Sequence, residues 1–209
     1  FIASQSSGAF LYSLETKQLQ ELATGNKILG NDFVKVNGRI YVAASDGVYV
    51  QDAENSLSFS KMMFHPDQRI SDDQNVHVIA TDAHGNIYFG TEDGLIVRQK
   101  NHTYWIHDKY DQAAPLRGKR VFSLYHNKKG NCIWVGTISE GLYKINLTDA
   151  GEYLSMESYR QSMQNNYHIA NNTVWCFYED QGDTLWVGTD AGLLMKSGKD
   201  GIFVQITTK

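Results

Sequence analysis

The sequence predicts an all-β protein, a β-propeller fragment of four-stranded antiparallel blades with about four complete blades and one partial blade. Three observations lead to this fold class. One glycine-bounded hairpin recurs along the chain, further short apolar stretches flank each copy, and 18 glycines and 12 tyrosines accompany only 2 prolines. Such a composition favours strands joined by glycine turns. We therefore expect an array in which each repeat is one small sheet.

The recurring hairpin becomes visible when the chain is aligned with itself. Its clear copies are NGRIYVAASDGVYV from Asn37, GNIYFGTEDGLIV from Gly85, GNCIWVGTISEGLYKI from Gly130 and GDTLWVGTDAGLLM from Gly182, and a degenerate copy, FIASQSSGAFLY, opens the chain. The period is roughly 40 to 50 residues, which is typical of propeller blades. The predicted partial propeller covers residues 1–209, with blades at 1–31, 32–70, 71–118, 119–169 and 170–209.

The elements of one blade follow in order within the fourth copy. Its apolar stretches are VFSLYHN from Val121, IWVGT from Ile133, LYKIN from Leu142 and EYLSMES from Glu152. Short polar turns separate most of them, so they predict a four-stranded antiparallel meander. The first copy begins at its second strand, which makes it the partial blade.

The second strand of each blade is apolar at consecutive positions, as in Ile133, Trp134 and Val135. Because successive side chains of a strand point to opposite faces, both faces must be covered, and blades stacked around an axis supply that cover. The aromatic residues that recur at the middle position are therefore expected to pack between blades; they are Tyr41, Tyr88, Trp134 and Trp186. An open arc would expose the apolar faces of its end blades, which predicts self-association through propeller surfaces.

Charge and residue patterns argue against several classes of protein. With 19 basic and 23 acidic residues, the formal net charge is -4, so no nucleic-acid partner is expected. No run approaches the roughly 18 apolar residues that span a bilayer, and we expect any targeting segment to lie outside these 209 residues. Cys132 and Cys176 have no partners at metal-ligand spacing and are expected to be free, buried thiols.

Two copies of the hairpin, taken with the strands that precede them, resemble a known repeat. IWVGTISEGLYKI and LWVGTDAGLLM, preceded by VFSLYHNKKGN and VWCFYEDQGD, are similar to the two-component regulator propeller repeat. The similarity covers nearly the whole chain. A Gly-Thr pair is intact in the last three copies, beginning at Gly90, Gly136 and Gly188, and is replaced by Ala43-Ala44 and Ser4-Gln5 in the first two.

The resemblance implies a function. Such repeats form the extracytoplasmic, periplasmic sensor of hybrid sensor histidine kinases in gut Bacteroidetes, where they are associated with sensing the breakdown products of polysaccharides. A parent of this kind would carry further blades, an immunoglobulin-like linker domain, a membrane helix, a kinase core and often a DNA-binding response regulator. Attachment to the inner membrane would come only through those other parts.

The chain lacks the short motifs of the common catalytic and cofactor sites. It has no nucleophile elbow, phosphate-binding loop or dinucleotide-binding glycine pattern, and none of its seven histidines belongs to a helical metal-binding pair. Adjacent acids such as Glu92 and Asp93 are interpreted as solvated turn residues. We therefore predict no cofactor, no metal and no enzymatic activity.

The long links between blades are the predicted ligand-binding region. In a propeller, these links lie on the same face as the turns between second and third strands, around the central channel. Arginine side chains hold carboxylates or sulfates and aromatic rings cover the apolar faces of sugars, so the links suit an anionic or neutral oligosaccharide. The candidate binding residues are Arg69, Tyr110, Arg117, Arg120, Arg160, Tyr167, His168 and Asn172.

Three functions remain open at this point. A ligand-sensing fragment fits the repeat resemblance. A scaffold that binds protein partners, including a second copy of the chain, fits the exposed end blades. A propeller polysaccharide lyase or hydrolase would require convergent His, Tyr, Arg or carboxylate groups on one face.

Overall fold

The computed structural model describes residues 2–4, 8–22, 28–54, 56–64, 70–100, 102–161, 169, 171–197 and 202–206. These residues form five antiparallel sheets, of which the first has three strands and the others have four. Each sheet is built from consecutive strands, so each is a meander. The predicted all-β propeller fold, with four complete blades and one partial blade, is confirmed.

The strands of the first three blades alternate with short turns and longer links. The first blade contains β1 (Ile2–Ser4), β2 (Gly8–Tyr12) and β3 (Leu19–Glu21). The second contains β4 (Gly30–Val36), β5 (Arg39–Ala44), β6 (Gly47–Gln51) and β7 (Phe59–Lys61). The third contains β8 (Val76–Thr81), β9 (Ile87–Thr91), β10 (Gly94–Gln99) and β11 (His102–Trp105).

The last two blades follow the same order from inner to outer strand. The fourth contains β12 (Val121–Asn127), β13 (Cys132–Thr137), β14 (Leu142–Leu147) and β15 (Tyr153–Tyr159). The fifth contains β16 (Val174–Glu179), β17 (Thr184–Thr189), β18 (Gly192–Ser197) and β19 (Val204–Ile206).

Helical structure in the described residues is confined to the link between the third and fourth blades. It consists of α1 (Ile106–Lys109) and a 3₁₀ helix (Asp111–Leu116). Ile106 and Leu116 are buried there against the two neighbouring blades. No helix in the described ranges is both long and apolar enough to cross a bilayer.

The hydrophobic core lies between the blades, with one cluster at each boundary. Val135 and Tyr143 of the fourth blade pack in one cluster with Tyr88 of the third blade. Trp134 of the same strand packs in the next cluster with Val187 of the fifth blade. The consecutive apolar residues of β13 therefore contact two different blades, as the sequence predicted.

The Gly-Thr pair has two separate structural roles. A Cβ atom at Gly90 would lie 2.6 Å from Cγ1 of Val78 and 2.7 Å from Cγ1 of Val121 in the next blade, so only glycine permits this approach. The hydroxyl of Thr91 donates to the carbonyl of Gly94 at 3.1 Å and closes the next turn. The motif thus combines close blade packing with a fixed turn.

The two cysteines differ in their surroundings. Both are free thiols, and Cys132 is buried at the boundary between the fourth and fifth blades. Cys176 occurs on the inner strand of the fifth blade and is exposed, so the prediction of two buried thiols is wrong for this residue. The reason is that no described residue packs on that face of the fifth blade.

Leu142 and Leu193 occupy equivalent positions, each following the glycine of the second turn, and they provide a matched test of packing between blades. Leu142 is 0% exposed and Leu193 is 39% exposed. We expect Leu142→Ala to lower the free energy of unfolding by about 2–4 kcal/mol and Leu193→Ala by about half of that or less. Denaturant titrations of both variants measure this, and equal losses would contradict the face-to-face arrangement.

Candidate functional site at the mouth of the central channel

The inner strands β4, β8, β12 and β16 lie side by side and line the channel. The links and the turns between second and third strands meet at one end of it. The amide of Gly118 in a link donates to the carbonyl of Asp93 at 2.9 Å, and the amide of Gly141 donates to Asn172 at 2.7 Å. We call this end of the propeller the link face, and its position is the one that the sequence predicted.

A β-bulge occurs at the start of every described inner strand. The register shifts between Gly30 and Asp32, and again at the matching point of the other three strands. The bulged residues are Asn31, His77, Phe122 and Trp175. Because a bulge re-aims a side chain, it sets these four residues apart from the packed faces of the blades.

Three of the bulged residues form what we call the aromatic row: His77, Phe122 and Trp175. The rings of His77 and Phe122 are stacked with centroids 3.9 Å apart and planes inclined by 23°. Phe122 meets Trp175 edge to face, with centroids 6.0 Å apart. Trp175 is 49% exposed, so the row presents aromatic surface to solvent mainly at its end on the fifth blade.

Carboxylates from the second-turn loops hold both ends of the aromatic row. Nε2 of His77 lies 2.8 Å from Oε1 of Glu92, and Nε1 of Trp175 donates to Oδ1 of Asp190 at 2.6 Å. Glu92 and Asp190 are equivalent residues, because each follows the threonine of a Gly-Thr pair. Nε of Arg120 lies 3.9 Å from the other carboxylate oxygen of Glu92. Glu92 therefore has a contact role beyond that of a solvated turn residue.

Burial governs the electrostatics of His77. Its side chain is only 9% exposed, and this desolvation lowers the pKa of the imidazole below 6.5. The carboxylate of Glu92 acts in the opposite direction and raises the pKa, whereas the guanidinium of Arg120 lowers it. The net effect keeps His77 neutral at pH 7, so the row contains no cationic ring at that pH.

A second group of charged side chains lies on the link face at the fourth blade. Glu140, in the second-turn loop, is 2.8 Å from Nζ of Lys119 and 3.1 Å from Nη2 of Arg160. The hydrogen bond from Lys119 lowers the pKa of the Glu140 carboxyl. Arg160 also donates to the hydroxyl of Tyr143 at 2.8 Å. This network ties the two links that flank the fourth blade.

The structure brings some of the predicted binding residues together on the link face. Arg120 lies near the aromatic row, because it is close to Glu92 and Glu92 contacts His77. Arg160 belongs to the Glu140 network, and the side-chain oxygen of Asn172 accepts from the amide of Gln161 at 2.7 Å. Arg117 is exposed and paired with Asp108 at 2.6 Å.

The remaining predicted residues do not join this group. Tyr110 stacks on Tyr153 with ring centroids 4.3 Å apart and packs edge to face on Tyr104. Tyr153 and Tyr104 belong to outer strands, so Tyr110 contributes to packing at the rim. Arg69, Tyr167 and His168 lie outside the described residues.

Sequence reasoning missed the aromatic row and Asp190. A signal for the row was present, because each of its residues follows the first valine of an inner strand in VHVIAT, VFSLYH and VWCFYE. The residue varies from copy to copy at this position while the valine is constant. Only the bulge shows that the position turns away from the core.

Comparison with known proteins supports the repeat assignment. Residues 168–191 match the sequence profile of the family described as the two component regulator propeller. The matched segment contains LWVGTD, one of the motifs that carried the resemblance, so the resemblance is confirmed at this repeat. No curated protein matches the chain.

Several solved structures have a similar fold. The extracellular domain of BT3049, a hybrid two component system of B. thetaiotaomicron, gives a TM-score of 0.68 at 20% identity over 92% of this chain. The extracellular domain of BT4673 from the same organism gives 0.69 at 20% identity over 92% of this chain. This chain spans 24% and 26% of the lengths of those two structures.

An enzyme is also among the similar structures. Virginiamycin B lyase from Staphylococcus aureus gives a TM-score of 0.59 at 13% identity, with 90% of this chain and 58% of that chain covered. Identities this low show the shared propeller fold and do not transfer an activity. Among the described residues, no group of three His, Cys, Asp or Glu side chains could hold a metal ion.

The buried His77 predicts a loss of stability in acid. The unfolded chain takes up a proton on this imidazole near pH 6.5, whereas burial holds the pKa of the folded state lower. The stability that His77 contributes is therefore present above pH 6.5 and is lost as the pH falls below it. Denaturant titrations between about pH 7.5 and about pH 5.5 measure the slope.

The variant His77→Gln separates this residue from other groups. Its amide can still donate to Glu92 but does not titrate, so the variant should lose less stability on acidification than the parent chain. Burial lowers the pKa of His107 and His126 as well, so a smaller slope remains in the variant. Identical slopes for parent and variant would contradict the role of His77.

Proposed function

We propose that this chain is part of the ligand-sensing, periplasmic propeller of a hybrid two-component regulator, and that it binds an oligosaccharide at the mouth of its central channel. The fold and the matched repeat support the regulator part of the proposal. The aromatic row is the single observation that supports a sugar ligand at this place.

The chemistry of the mouth suits a sugar. The exposed ring of Trp175 and the half-buried ring of Phe122 offer aromatic surface for the apolar faces of a pyranose. The carboxylates of Glu92 and Asp190 accept hydrogen bonds, and Arg120 donates them. An aromatic platform with few polar groups at its rim is typical of ligand sites in proteins.

The position of the row also suggests how binding would be transmitted. His77, Phe122 and Trp175 belong to the third, fourth and fifth blades, so a ligand that covers the row contacts three blades at once. Such a ligand would favour one relative arrangement of those blades over others. A sensor can use this shift in blade geometry to pass a signal toward the membrane.

We propose that the chain binds without catalysis. At the mouth, Glu92 contacts His77 and Asp190 accepts from Trp175, so each carboxylate has a neighbour that the fold supplies. Glycosidases instead use two carboxyl groups placed on either side of the scissile bond. The propeller lyase or hydrolase remains the enzymatic alternative, and product formation is its test.

Substitutions in the aromatic row should weaken oligosaccharide binding. Calorimetric titration with a panel of host and dietary oligosaccharides would identify a binder, and Trp175→Ala should then weaken it by about tenfold because the stacking surface is lost. Tyr178→Ala is the matched control, since Tyr178 is on the same strand, is 65% exposed and lies outside the row.

The same titrations discriminate among the alternatives. Binding by the parent chain, weakening by Trp175→Ala and no change in Tyr178→Ala would support the proposal. Equal effects of both substitutions would exclude the row as the site. Sugar products in the samples would contradict binding without catalysis, and an absence of binding across the panel would contradict the proposed site.

A second candidate function is a scaffold for self-association, and the fifth blade supports it. Its outer face exposes large apolar side chains, among them Leu193 at 39%, Val204 at 47% and Ile206 at 43%. The equivalent of Leu193 in the fourth blade, Leu142, is fully covered by the fifth blade. We propose that a second copy of the chain covers this face.

Self-association through the fifth blade predicts a concentration-dependent mass. The parent chain should shift toward a dimer at micromolar concentrations in sedimentation or light-scattering measurements, and Leu193→Glu should keep it monomeric by placing a charge in the interface. Leu154→Glu is the control, because Leu154 is 61% exposed on an outer strand of the fourth blade. A monomeric parent chain at all concentrations would exclude the scaffold.

A further inference from the structure

A polar cleft of about 540 Å³ opens between the second and third blades at the end opposite the link face. Turns that join first and second strands form part of its wall, including Asn37 of the second blade and His84 of the third blade. The cleft is also lined by the side chains of Tyr41, Arg98, Gln99 and Lys100. The cleft shares no residue with the aromatic row.

The charges that line this cleft have one sign. Arg98 and Lys100 are cationic, and His84 is a third basic group. Among the described residues that line the cleft, none is an aspartate or a glutamate. The chain as a whole has a formal net charge of -4, so a cleft with only basic groups differs from the average surface.

The two cations lack ionic partners within the described part of the chain. Neither Arg98 nor Lys100 makes an ion pair there, whereas Lys61 of the same blade boundary pairs with Asp73. Nη1 of Arg98 lies 2.9 Å from Sδ of Met62, and a thioether is a weak acceptor. The half-buried guanidinium therefore retains donors that an anionic ligand could use.

Two of the carboxylates near the cleft have other neighbours. Asp82 accepts from the amides of His84 and Asn86, from the side chain of Asn86 and from the hydroxyl of Tyr88. Glu54, beside Gly38, lies 4.0 Å from Nζ of Lys35. Neither is among the residues that line the cleft. Asp52 lines the adjoining pocket that Arg98 also borders, but the two form no ion pair within the described part of the chain.

We infer that this cleft binds a small anionic ligand rich in hydroxyl groups, of the chemical class of sugar acids. The guanidinium of Arg98 would hold the carboxylate or sulfate in a bidentate manner, with Lys100 as a second positive charge. The amides of Asn37 and Gln99 and the hydroxyl of Tyr41 can exchange hydrogen bonds with the sugar hydroxyls. The volume accommodates a sugar ring and not only an inorganic ion.

This site is independent of the one proposed at the mouth. The two lie at opposite ends of the propeller, and the third blade contributes to both. Binding here would bridge the second and third blades, whereas the aromatic row joins the third to the fifth.

The test is calorimetric titration of the 209-residue chain with sodium glucuronate, glucose 6-sulfate, glucose and sodium sulfate. We expect the two sugar acids to bind, and glucose and sodium sulfate to bind at least about tenfold more weakly, because each lacks half of the recognised groups. Arg98→Gln should weaken both sugar acids by about 10- to 100-fold.

Matched variants separate the cleft from general charge and from the mouth. Lys128→Gln removes one positive charge from an exposed turn on the same face and should leave the affinities unchanged. Trp175→Ala should also leave them unchanged. Lys100→Gln provides a second cleft variant, and the circular dichroism melting curve of each variant confirms its folding.

Several outcomes would overturn the inference. These are an absence of sugar-acid binding by the parent chain, equal weakening by Arg98→Gln and Lys128→Gln, and equal affinity for glucose and glucuronate. Sodium sulfate binding as tightly as the sugar acids would reduce the cleft to an ion site and exclude the sugar. Loss of binding in Trp175→Ala would place the ligand at the mouth instead.

Discussion

The structure depends on the packing of each blade against its neighbours. A four-stranded sheet of this size has no core of its own, and its second strand must therefore be apolar on both faces. Ile133 and Val135 contact the third blade, whereas Trp134 between them contacts the fifth. The same constraint explains why Gly90 follows such a strand, since a side chain there would collide with Val121 of the next blade.

Because the blade faces are committed to packing, binding surfaces are left to the ends of the channel and to the clefts between blade edges. The bulge at the start of each inner strand frees one residue per blade from this packing. In three blades that residue is aromatic, and the result is the row at the mouth. At the opposite end, the turns of the second and third blades leave the basic cleft around Arg98.

Much of the fold could be predicted from the sequence because the same local pattern recurs in several copies of the repeat. Turn glycines, Gly-Thr pairs and consecutive apolar residues each report a local constraint, and they recur with one period. The candidate site was less predictable. Arg120 was predicted as a binding residue, but its contact with Glu92 and His77 joins residues from separate turns and strands. Tyr110 was predicted at the site, yet it packs on Tyr153 at the rim.

The sequence by itself determined the blade as the unit of structure, its strand order and the face on which the links lie, because hydrophobic period and turn chemistry are local properties of the chain. Tertiary structure alone decided which side chains meet. The stacking of His77 on Phe122 requires two bulges in adjacent blades, and the lack of an ion pair for Arg98 among the described residues depends on where distant carboxylates lie. Leu193 is exposed and Leu142 is buried because a neighbouring blade covers only Leu142. The sequence around the two leucines is similar and does not encode this difference.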